Sequence, residues 1–205
     1  MNMEMRYQLY ADYYRVSGRS GLRKQFWSVF RRHYSGFNYL VAMRVCAALN
    51  KRQNLFARLL FWLAKGNLRR IQLKYATDIP WQAEFGPGLL LPHPSGIVVH
   101  PGVVAGKNCT ILQDVTIGNN LFQGRDCVAV IGDNVTFCAG ARIIGAVKIG
   151  DNVIVGANAV VTRDVESGCI VAGVPARVIA RKPPVLINCD YLPMEDFVAW
   201  KAGRL

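Results

Sequence analysis

The chain has 205 residues, the size of one ordinary domain or of a domain with an appendage. Hydrophobic residues make up 52% of it and charged residues 19%, which excludes a disordered chain and predicts a sizeable core. The net charge of +12 is unevenly distributed: residues 1–77 hold 15 Lys and Arg but only two acidic residues, whereas residues 78–205 hold 10 basic and 11 acidic residues. One third of the chain therefore carries the whole positive charge.

This basic third predicts either a solvated helical surface or an anionic partner. Nucleic acid is not expected, because no nucleic-acid-binding motif accompanies the charge. Residues 37–43 and 55–64 mix aromatic and aliphatic side chains beside Lys and Arg, as helices on a membrane surface do. Neither stretch reaches the roughly 18 apolar residues of a spanning helix, and the chain start lacks a secretory apolar region. We expect a cytoplasmic protein, with peripheral contact to an anionic membrane through residues 1–77.

Helices are predicted for the N-terminal part, because apolar residues recur every three or four positions from residue 19 to 74. The spacing gives three or four helices, broken near 35–36 and 50–54. They should end by Ala76-Thr77, since the following Ile79 precedes a proline and is disfavoured in a helix. Two helical faces result: Leu40, Met43, Arg44 and Ala47 on one, and Leu55, Leu59, Trp62 and Leu63 on the other.

From Ile79 onward the sequence repeats every six residues. Bulky apolar residues open successive units, and a small or β-branched residue follows each four positions later; these openers are Val99, Ala105, Ile111, Ile117, Ile131, Phe137, Ile143, Ile149 and Val155. Six residues are too few for a strand plus a helix, so each unit must be a short strand and a sharp turn. Asn at turn positions tolerates the positive φ that such turns require, at Asn108, Asn134, Asn152 and Asn158. The prediction is a β-solenoid.

The repeat resembles the left-handed parallel β-helix of hexapeptide-repeat acyltransferases, in which three units make one coil. The expected fold class is therefore α+β, with a basic helical segment at 1–77, a β-helix at 78–180 and a short tail at 181–205. Two irregularities interrupt the repeat: two extra residues lie between Leu91 and Val99, and residues 119–130 must bulge outward. Insertions in repeat proteins often lie on the functional face.

A set of motifs between residue 78 and about 180 resembles the serine O-acetyltransferase family, especially its branch found with surface-polysaccharide genes. The motifs are Asp78-Ile-Pro, Gly86-Pro-Gly-Leu-Leu-Leu-Pro-His93-Pro-Ser-Gly-Ile-Val-Val, Gly156-Ala-Asn-Ala-Val-Val-Thr-Arg-Asp-Val165 and Gly173-Val-Pro-Ala-Arg-Val-Ile179. By this resemblance His93 is the general base and Asp78 the carboxylate that orients it. Asp78 precedes His93 by fifteen residues, nearly one coil, so the two should stack.

The resemblance also implies acetyl-CoA as co-substrate, with direct transfer and no metal. The matching cofactor positions are Ala139 and Ala157 for pantetheine, Thr162 and Arg177 for the nucleotide end, and Arg181 as a further phosphate contact. Ala139 and Ala157 have an alternative explanation, which is tight stacking of the coils. A homotrimer with active sites between subunits is implied, alone or as a dimer of trimers.

The acceptor positions depart from the family. Serine acetyltransferases hold the amino acid with an Asp before the catalytic His and an Arg-His pair in the protruding loop. Those positions are Pro92, Cys127 and Val128 here, although Arg125 and Asp126 lie nearby as substitutes. We therefore predict a sugar hydroxyl of a surface polysaccharide or its lipid-linked precursor as the acceptor.

Two alternative functions are consistent with the same sequence features. The first is serine O-acetyltransferase, with helices that serve only oligomerisation, and the second is a non-catalytic, membrane-associated trimeric scaffold. A zinc carbonic anhydrase on the same solenoid is not expected, because the repeat offers only His93 and His100. The six cysteines have neither zinc-site nor disulfide spacing, which predicts buried, reduced thiols. Residues 196–201 are predicted to form a short helix.

Overall fold

The structure is a computed structural model that describes residues 3–18, 35–52, 54–122, 124, 127–182 and 184–202. The helices are α1 (Met3–Ser17), α2 (Ser35–Asn50), α3 (Leu55–Tyr75) and α4 (Met194–Lys201). The strands are β1 (Glu84–Phe85), β2 (Val98–Val99), β3 (Val104–Ala105), β4 (Thr110–Ile111), β5 (Thr116–Gly118), β6 (Val130–Ile131), β7 (Thr136–Phe137), β8 (Arg142–Ile144), β9 (Lys148–Ile149), β10 (Ile154–Val155), β11 (Val160–Val161), β12 (Cys169–Ala172) and β13 (Arg177–Arg181).

Helices α2 and α3 begin and end close to the predicted breaks. Asn54 caps α3, because its side-chain oxygen accepts a hydrogen bond from the backbone N–H of Ala57 at 2.7 Å. Ala76 ends the helix in a left-handed conformation with φ of 47°. Helix α1 was not predicted, and the part of the predicted helical region at 19–34 lies outside the described residues.

The strands form the three sides of a parallel β-helix. One sheet contains β1, β3, β6 and β9, a second contains β4, β7, β10, β12 and β13, and a third contains β2, β5, β8 and β11. Neighbouring strands pair in parallel, and the chain leaves the solenoid through the antiparallel pair of β12 with β13. Ile154 pairs with Thr136, 18 positions earlier, so three six-residue units make one coil.

The strand register confirms both predicted irregularities. Glu84 pairs with Val104, 20 positions later, because this coil contains the two extra residues near His93. Val104 pairs with Val130, 26 positions later, because the next coil contains the eight extra residues within 119–130. Both insertions therefore leave the strands in phase.

The core of the solenoid consists of the side chains that open the repeats. Each predicted opener from Val99 to Val155 is buried. At the turns, Asn108, Asn134, Asn152 and Asn158 have φ between 54° and 60°, as predicted. The first three form an asparagine ladder, since Asn108 Nδ2 donates to Asn134 Oδ1 and Asn134 Nδ2 to Asn152 Oδ1, each at 3.0 Å.

The N-terminal helices attach to the first coil through a buried ion pair. Asp12 of α1 is fully buried and accepts hydrogen bonds from Arg44 Nε at 3.1 Å and from the backbone N–H groups of Gly88 and Leu89. Arg44 of α2 also donates to the carbonyl oxygens of Phe85 and Gly86. Burial raises the pKa of Asp12, and the Arg44 guanidinium opposes that rise. The ion pair and its hydrogen bonds compensate for the hydration that both charged groups lose on burial.

This packing restricts which basic and apolar residues of segment 1–77 remain available to a partner. Arg15 and Arg44 are buried, and most side chains of the stretch 37–43 on α2 are buried in the core of the protein. The stretch 55–64, in contrast, is mostly exposed on α3. In the described part of the chain, no helix combines the length and apolar character needed to cross a bilayer.

The C-terminal tail returns to the N-terminal helices. The predicted short helix is confirmed as α4, whose Phe197 stacks on Tyr10 of α1 with ring centroids 4.9 Å apart. Tyr191 donates to Asn108 Oδ1 at 2.7 Å and thereby caps the asparagine ladder. The tail thus covers the first coil, at the opposite end of the solenoid from the strands that precede it in the chain.

The prediction of buried thiols holds for three of the six cysteines. Cys46, Cys109 and Cys169 are buried, whereas Cys127, Cys138 and Cys189 are partly exposed, and none of the six forms a disulfide. Burial raises the pKa of Cys46 to about 11 and that of Cys109 to about 12, so both remain protonated and unreactive near neutral pH.

Candidate functional site

His93 lies in the irregular segment that joins the first coil to β2. Its side chain is exposed, and two prolines flank it and restrict the backbone. The segment is held against the coil, because the N–H of Ser95 donates to the carbonyl of His93 at 2.8 Å and the N–H of Asp114 donates to Ser95 at 2.9 Å. The predicted base is therefore accessible at a fixed edge of the solenoid.

Asp78 lies directly beside the chain that follows His93. It forms a parallel bridge with Val98, and its backbone N–H donates to the carbonyl of Ile97 at 2.7 Å. Its exposed carboxylate accepts a hydrogen bond from Gln72 Nε2, on the last turn of α3, at 2.9 Å. Asp78 thus pairs with Val98, five residues after His93, so its stacking on His93 itself stays a prediction; the structure adds Gln72 as a contact of the carboxylate.

Thr77 connects these two elements and was missed by the sequence prediction. It is buried, its hydroxyl donates to the carbonyl of Pro94 at 3.0 Å, and the hydroxyl oxygen accepts from the N–H of Ile97 at 3.3 Å. One side chain therefore binds the backbone on the C-terminal side of His93 at two points, from the residue immediately before Asp78.

A buried tyrosine anchors the other side of Asp78. The Tyr39 hydroxyl of α2 donates to the carbonyl of Ile79 at 2.9 Å and accepts from the N–H of the same residue at 2.8 Å. Burial raises the pKa of Tyr39, so the hydroxyl keeps the proton that it donates. No spacing in the sequence indicated this contact, since 40 residues separate the partners.

The two predicted pantetheine positions lie on the same edge of the solenoid as His93. Main-chain hydrogen bonds join this edge coil by coil: Asp114 to Ser95 at 2.9 Å, Gly140 to Gln113 at 3.0 Å and Asn158 to Ala139 at 2.9 Å. Ala157 is exposed and Ala139 is half-buried, so their methyl groups leave the edge open. Their small size therefore suits both tight coil stacking and the approach of an extended ligand.

The three predicted nucleotide contacts come together at the last coils. Thr162, Arg177 and Arg181 line one cavity of about 260 Å³. Arg181 also pairs with Glu166 at 2.9 Å, but both side chains are more than 60% exposed, and such surface pairs are weak. A larger cavity of about 450 Å³ lies between α1, α2 and the first coil and contains none of the predicted site residues.

The acceptor end of the site contains uncharged side chains at the three positions where the family pattern has charged or titratable ones. Pro92 is exposed beside His93, and Cys127 and Val128 are half-buried. Val128 packs against the solenoid core. The alternative contacts Arg125 and Asp126 lie outside the described residues. Within the part of the chain that is described, no group of three or more His, Cys, Asp or Glu could hold a metal ion.

The sequence and the structure are both similar to known acetyltransferases. Residues 129–163 match the family model "Bacterial transferase hexapeptide (six repeats)". A serine acetyltransferase of Synechococcus elongatus is 35% identical over 164 residues, which are 80% of this chain and 64% of the relative. A serine acetyltransferase of Helicobacter pylori strain J99 is 34% identical over 149 residues, or 72% of this chain and 83% of the relative. The chain belongs to the serine acetyltransferase family.

Solved structures of this serine acetyltransferase family have the same fold. The Neisseria gonorrhoeae enzyme superposes with a TM-score of 0.73 at 30% identity, covering 90% of this chain and 69% of that one. A serine acetyltransferase in complex with CoA gives 0.68 at 28% identity, covering 87% and 71%. The predicted left-handed parallel β-helix after a helical segment is thereby confirmed. The chain spans 64%, 43% and 53% of the curated relatives from Synechococcus elongatus, Buchnera aphidicola and Mycobacterium tuberculosis.

Proposed function

We propose that this chain is an acetyl-CoA-dependent O-acetyltransferase with His93 as general base. The observation that carries the proposal is one continuous edge of the solenoid, which runs from His93 past Ala139 and Ala157. Adjacent coils are about 4.8 Å apart, so the three coil-to-coil steps from Ser95 to Ala157 span roughly 14 Å. Such a narrow edge suits the extended pantetheine arm, and the arginine-lined cavity beyond it suits the phosphates.

The chemistry is direct transfer between two bound substrates. His93 removes the proton from the acceptor hydroxyl while the oxygen attacks the thioester carbonyl carbon of acetyl-CoA. When the tetrahedral intermediate collapses, the carbon–sulfur bond breaks and the histidinium protonates the departing CoA thiolate. The products are an O-acetyl ester and CoA, and His93 returns to its neutral form.

Asp78 and its neighbours keep the base in position for this proton transfer. A carboxylate beside an imidazole fixes the ring orientation and stabilises the imidazolium that forms. The bond from Gln72 restricts the Asp78 carboxylate in turn, and Thr77 restricts the backbone that carries His93. These are positioning contacts, since neither Gln72 nor Thr77 is assigned a contact with substrate.

L-serine is the first candidate acceptor, because relatives aligned over 80% and 72% of this chain are named serine acetyltransferases. These relatives support the serine alternative better than the sugar acceptor predicted from the sequence. A neutral sugar hydroxyl is the second candidate, favoured by Pro92, Cys127 and Val128. A zwitterion bound there would lack the charged partners of the family pattern, and an unpaired charge costs about 1–3 kcal/mol or more.

We also propose a homotrimer, as the sequence resemblance implies. A single solenoid edge leaves one side of an extended ligand in water, and a neighbouring subunit would cover it. The solenoid exposes the apolar side chains Val98, Val104 and Val130 on its faces, which supports contact between copies.

The test uses the full chain with acetyl-CoA and, in separate reactions, L-serine or a nucleotide-linked sugar. Release of the CoA thiol gives the rate, and mass spectrometry identifies the ester. The variant His93→Gln should lose about 10²–10⁴-fold in kcat, the usual contribution of a general base. His100→Gln is the matched control on the same solenoid. Activity that survives His93→Gln, or ester formation with neither acceptor class, would contradict the proposal and favour the scaffold alternative.

A further inference from the structure

Helix α3 presents an apolar face that the rest of the chain does not cover. Six large apolar side chains are between 59% and 82% exposed: Leu55, Phe56, Leu59, Trp62, Leu63 and Leu73. The opposite side of the helix is packed, with Ala57 and Leu68 buried and Phe61, Ala64 and Ile71 in contact with the core. The helix is therefore apolar on both sides, although only one of them contributes to the fold.

Basic side chains border this exposed face on both flanks. With 100° between successive helical residues, Arg58, Lys65 and Arg69 follow one border of the face and Lys74 lies at the other. Arg70 lies within the face, about two turns beyond Leu63. Helix α3 contains no acidic residue between Leu55 and Tyr75. An apolar centre with cationic borders is typical of a helix that lies in a lipid interface.

Aromatic and cationic groups also meet directly on this face. The ammonium group of Lys65 lies 5.0 Å from the centroid of the Trp62 ring. The indole of a tryptophan prefers the level of the lipid headgroups, and the lysine beside it reaches the phosphates from the same turn of helix. Both side chains therefore suit one surface.

We propose that α3 docks this protein on an anionic lipid surface, with Leu59, Trp62 and Leu63 at the centre of the contact. A second copy of the chain fits less well, because it would place five positive charges against five others. An uncharged apolar partner would leave the cationic borders unpaired, whereas anionic lipid supplies apolar chains and phosphates together. The inference narrows the predicted contact of residues 1–77 to one helix face.

The proposal is tested by sedimenting the full chain with vesicles of phosphatidylcholine, alone or with 30% phosphatidylglycerol. We expect binding to the anionic vesicles, weakened by salt because exposed charges are screened. Each neutralised basic residue should weaken binding by about fivefold, so Lys65→Gln/Arg69→Gln/Arg70→Gln should lose roughly a hundredfold. Trp62→Gln should weaken binding at all salt concentrations, since it removes apolar contact rather than charge.

Two matched controls remove exposed side chains elsewhere. Lys182→Gln removes a charge beyond the solenoid, and Val185→Gln removes an apolar side chain from the tail; both should leave vesicle binding unchanged. Circular dichroism should show the wild-type helix content in every variant, because the replaced groups are exposed. Binding that is absent, or insensitive to the triple variant, overturns the proposal. So does a Trp62→Gln variant whose only effect is a smaller oligomer in sedimentation velocity, which would identify a second copy as the partner.

Discussion

The hydrogen bonds of Thr77 predict that its hydroxyl affects kcat, although Thr77 is not one of the reacting groups. In Thr77→Val, the side chain keeps its shape but loses the hydroxyl that serves the Pro94 carbonyl and the Ile97 N–H. A buried polar group left without a partner costs about 1–3 kcal/mol. The segment that carries His93 should therefore lose this much of its preference for the observed conformation.

The expected kinetic effect is a loss in kcat of about 10- to 100-fold, since each 1.4 kcal/mol corresponds to a factor of ten. The KM for acetyl-CoA should stay near the wild-type value, because the proposed cofactor contacts lie on later coils. Thr77→Ser is the conservative variant, and it should retain kcat within about twofold because it keeps the hydroxyl. Steady-state kinetics with the productive acceptor separates kcat from KM.

Amide hydrogen exchange gives a second readout that does not depend on turnover. The amide of Ile97 should exchange faster in Thr77→Val than in Thr77→Ser, while core amides such as that of Ile143 keep their protection. The reasoning is refuted if Thr77→Val has wild-type kcat, or if the valine and serine variants are impaired equally.

Two further predictions concern the cofactor end and the buried ion pair. Replacing Arg177 or Arg181 with Gln should raise the Kd of CoA about tenfold or more in titration calorimetry, since a charge-assisted hydrogen bond contributes about 1.5–3 kcal/mol. The control Lys107→Gln, on a distant turn, should leave the Kd of CoA unchanged. If the arginine variants bind CoA as tightly as the wild type, the proposed phosphate contact is disproved. Arg44→Met should lower the free energy of unfolding by about 3–5 kcal/mol, because it leaves the Asp12 carboxylate buried without a counter-charge. Denaturant titration measures this loss, and Arg44→Met/Asp12→Asn should recover part of it; a double variant that is no better than the single one would contradict this explanation.

The solenoid could be predicted from the sequence because its structure repeats at the same period as its residues. An opener such as Phe137 or Ile143 pairs with the opener 18 positions later, so a local pattern specifies a non-local contact. The two insertions could be located for the same reason, as departures from that period. The proposal of His93 as the base rests on its place in the first insertion and on the family motif around it.

The contacts of the helices could not be predicted, because no period links them to their partners. Asp12 and Arg15 look like surface residues of α1 in the sequence, but both are buried against the first coil, more than 70 residues away. The stretches 37–43 and 55–64 have similar compositions, yet one is core and the other surface. Thr77 was missed for the same reason, since its partners are visible only once the His93 segment is folded.

The return of the tail to the first coil affects the order in which the chain folds during synthesis. A solenoid adds coils one at a time, and each needs only its neighbour for support. The contacts of α1 with the tail form later, because Tyr191 and Phe197 complete them and are synthesised after every coil of the solenoid. The end of the solenoid that is synthesised first is therefore finished last. Until the tail is made, Asn108 at the end of the asparagine ladder lacks the hydrogen bond from Tyr191.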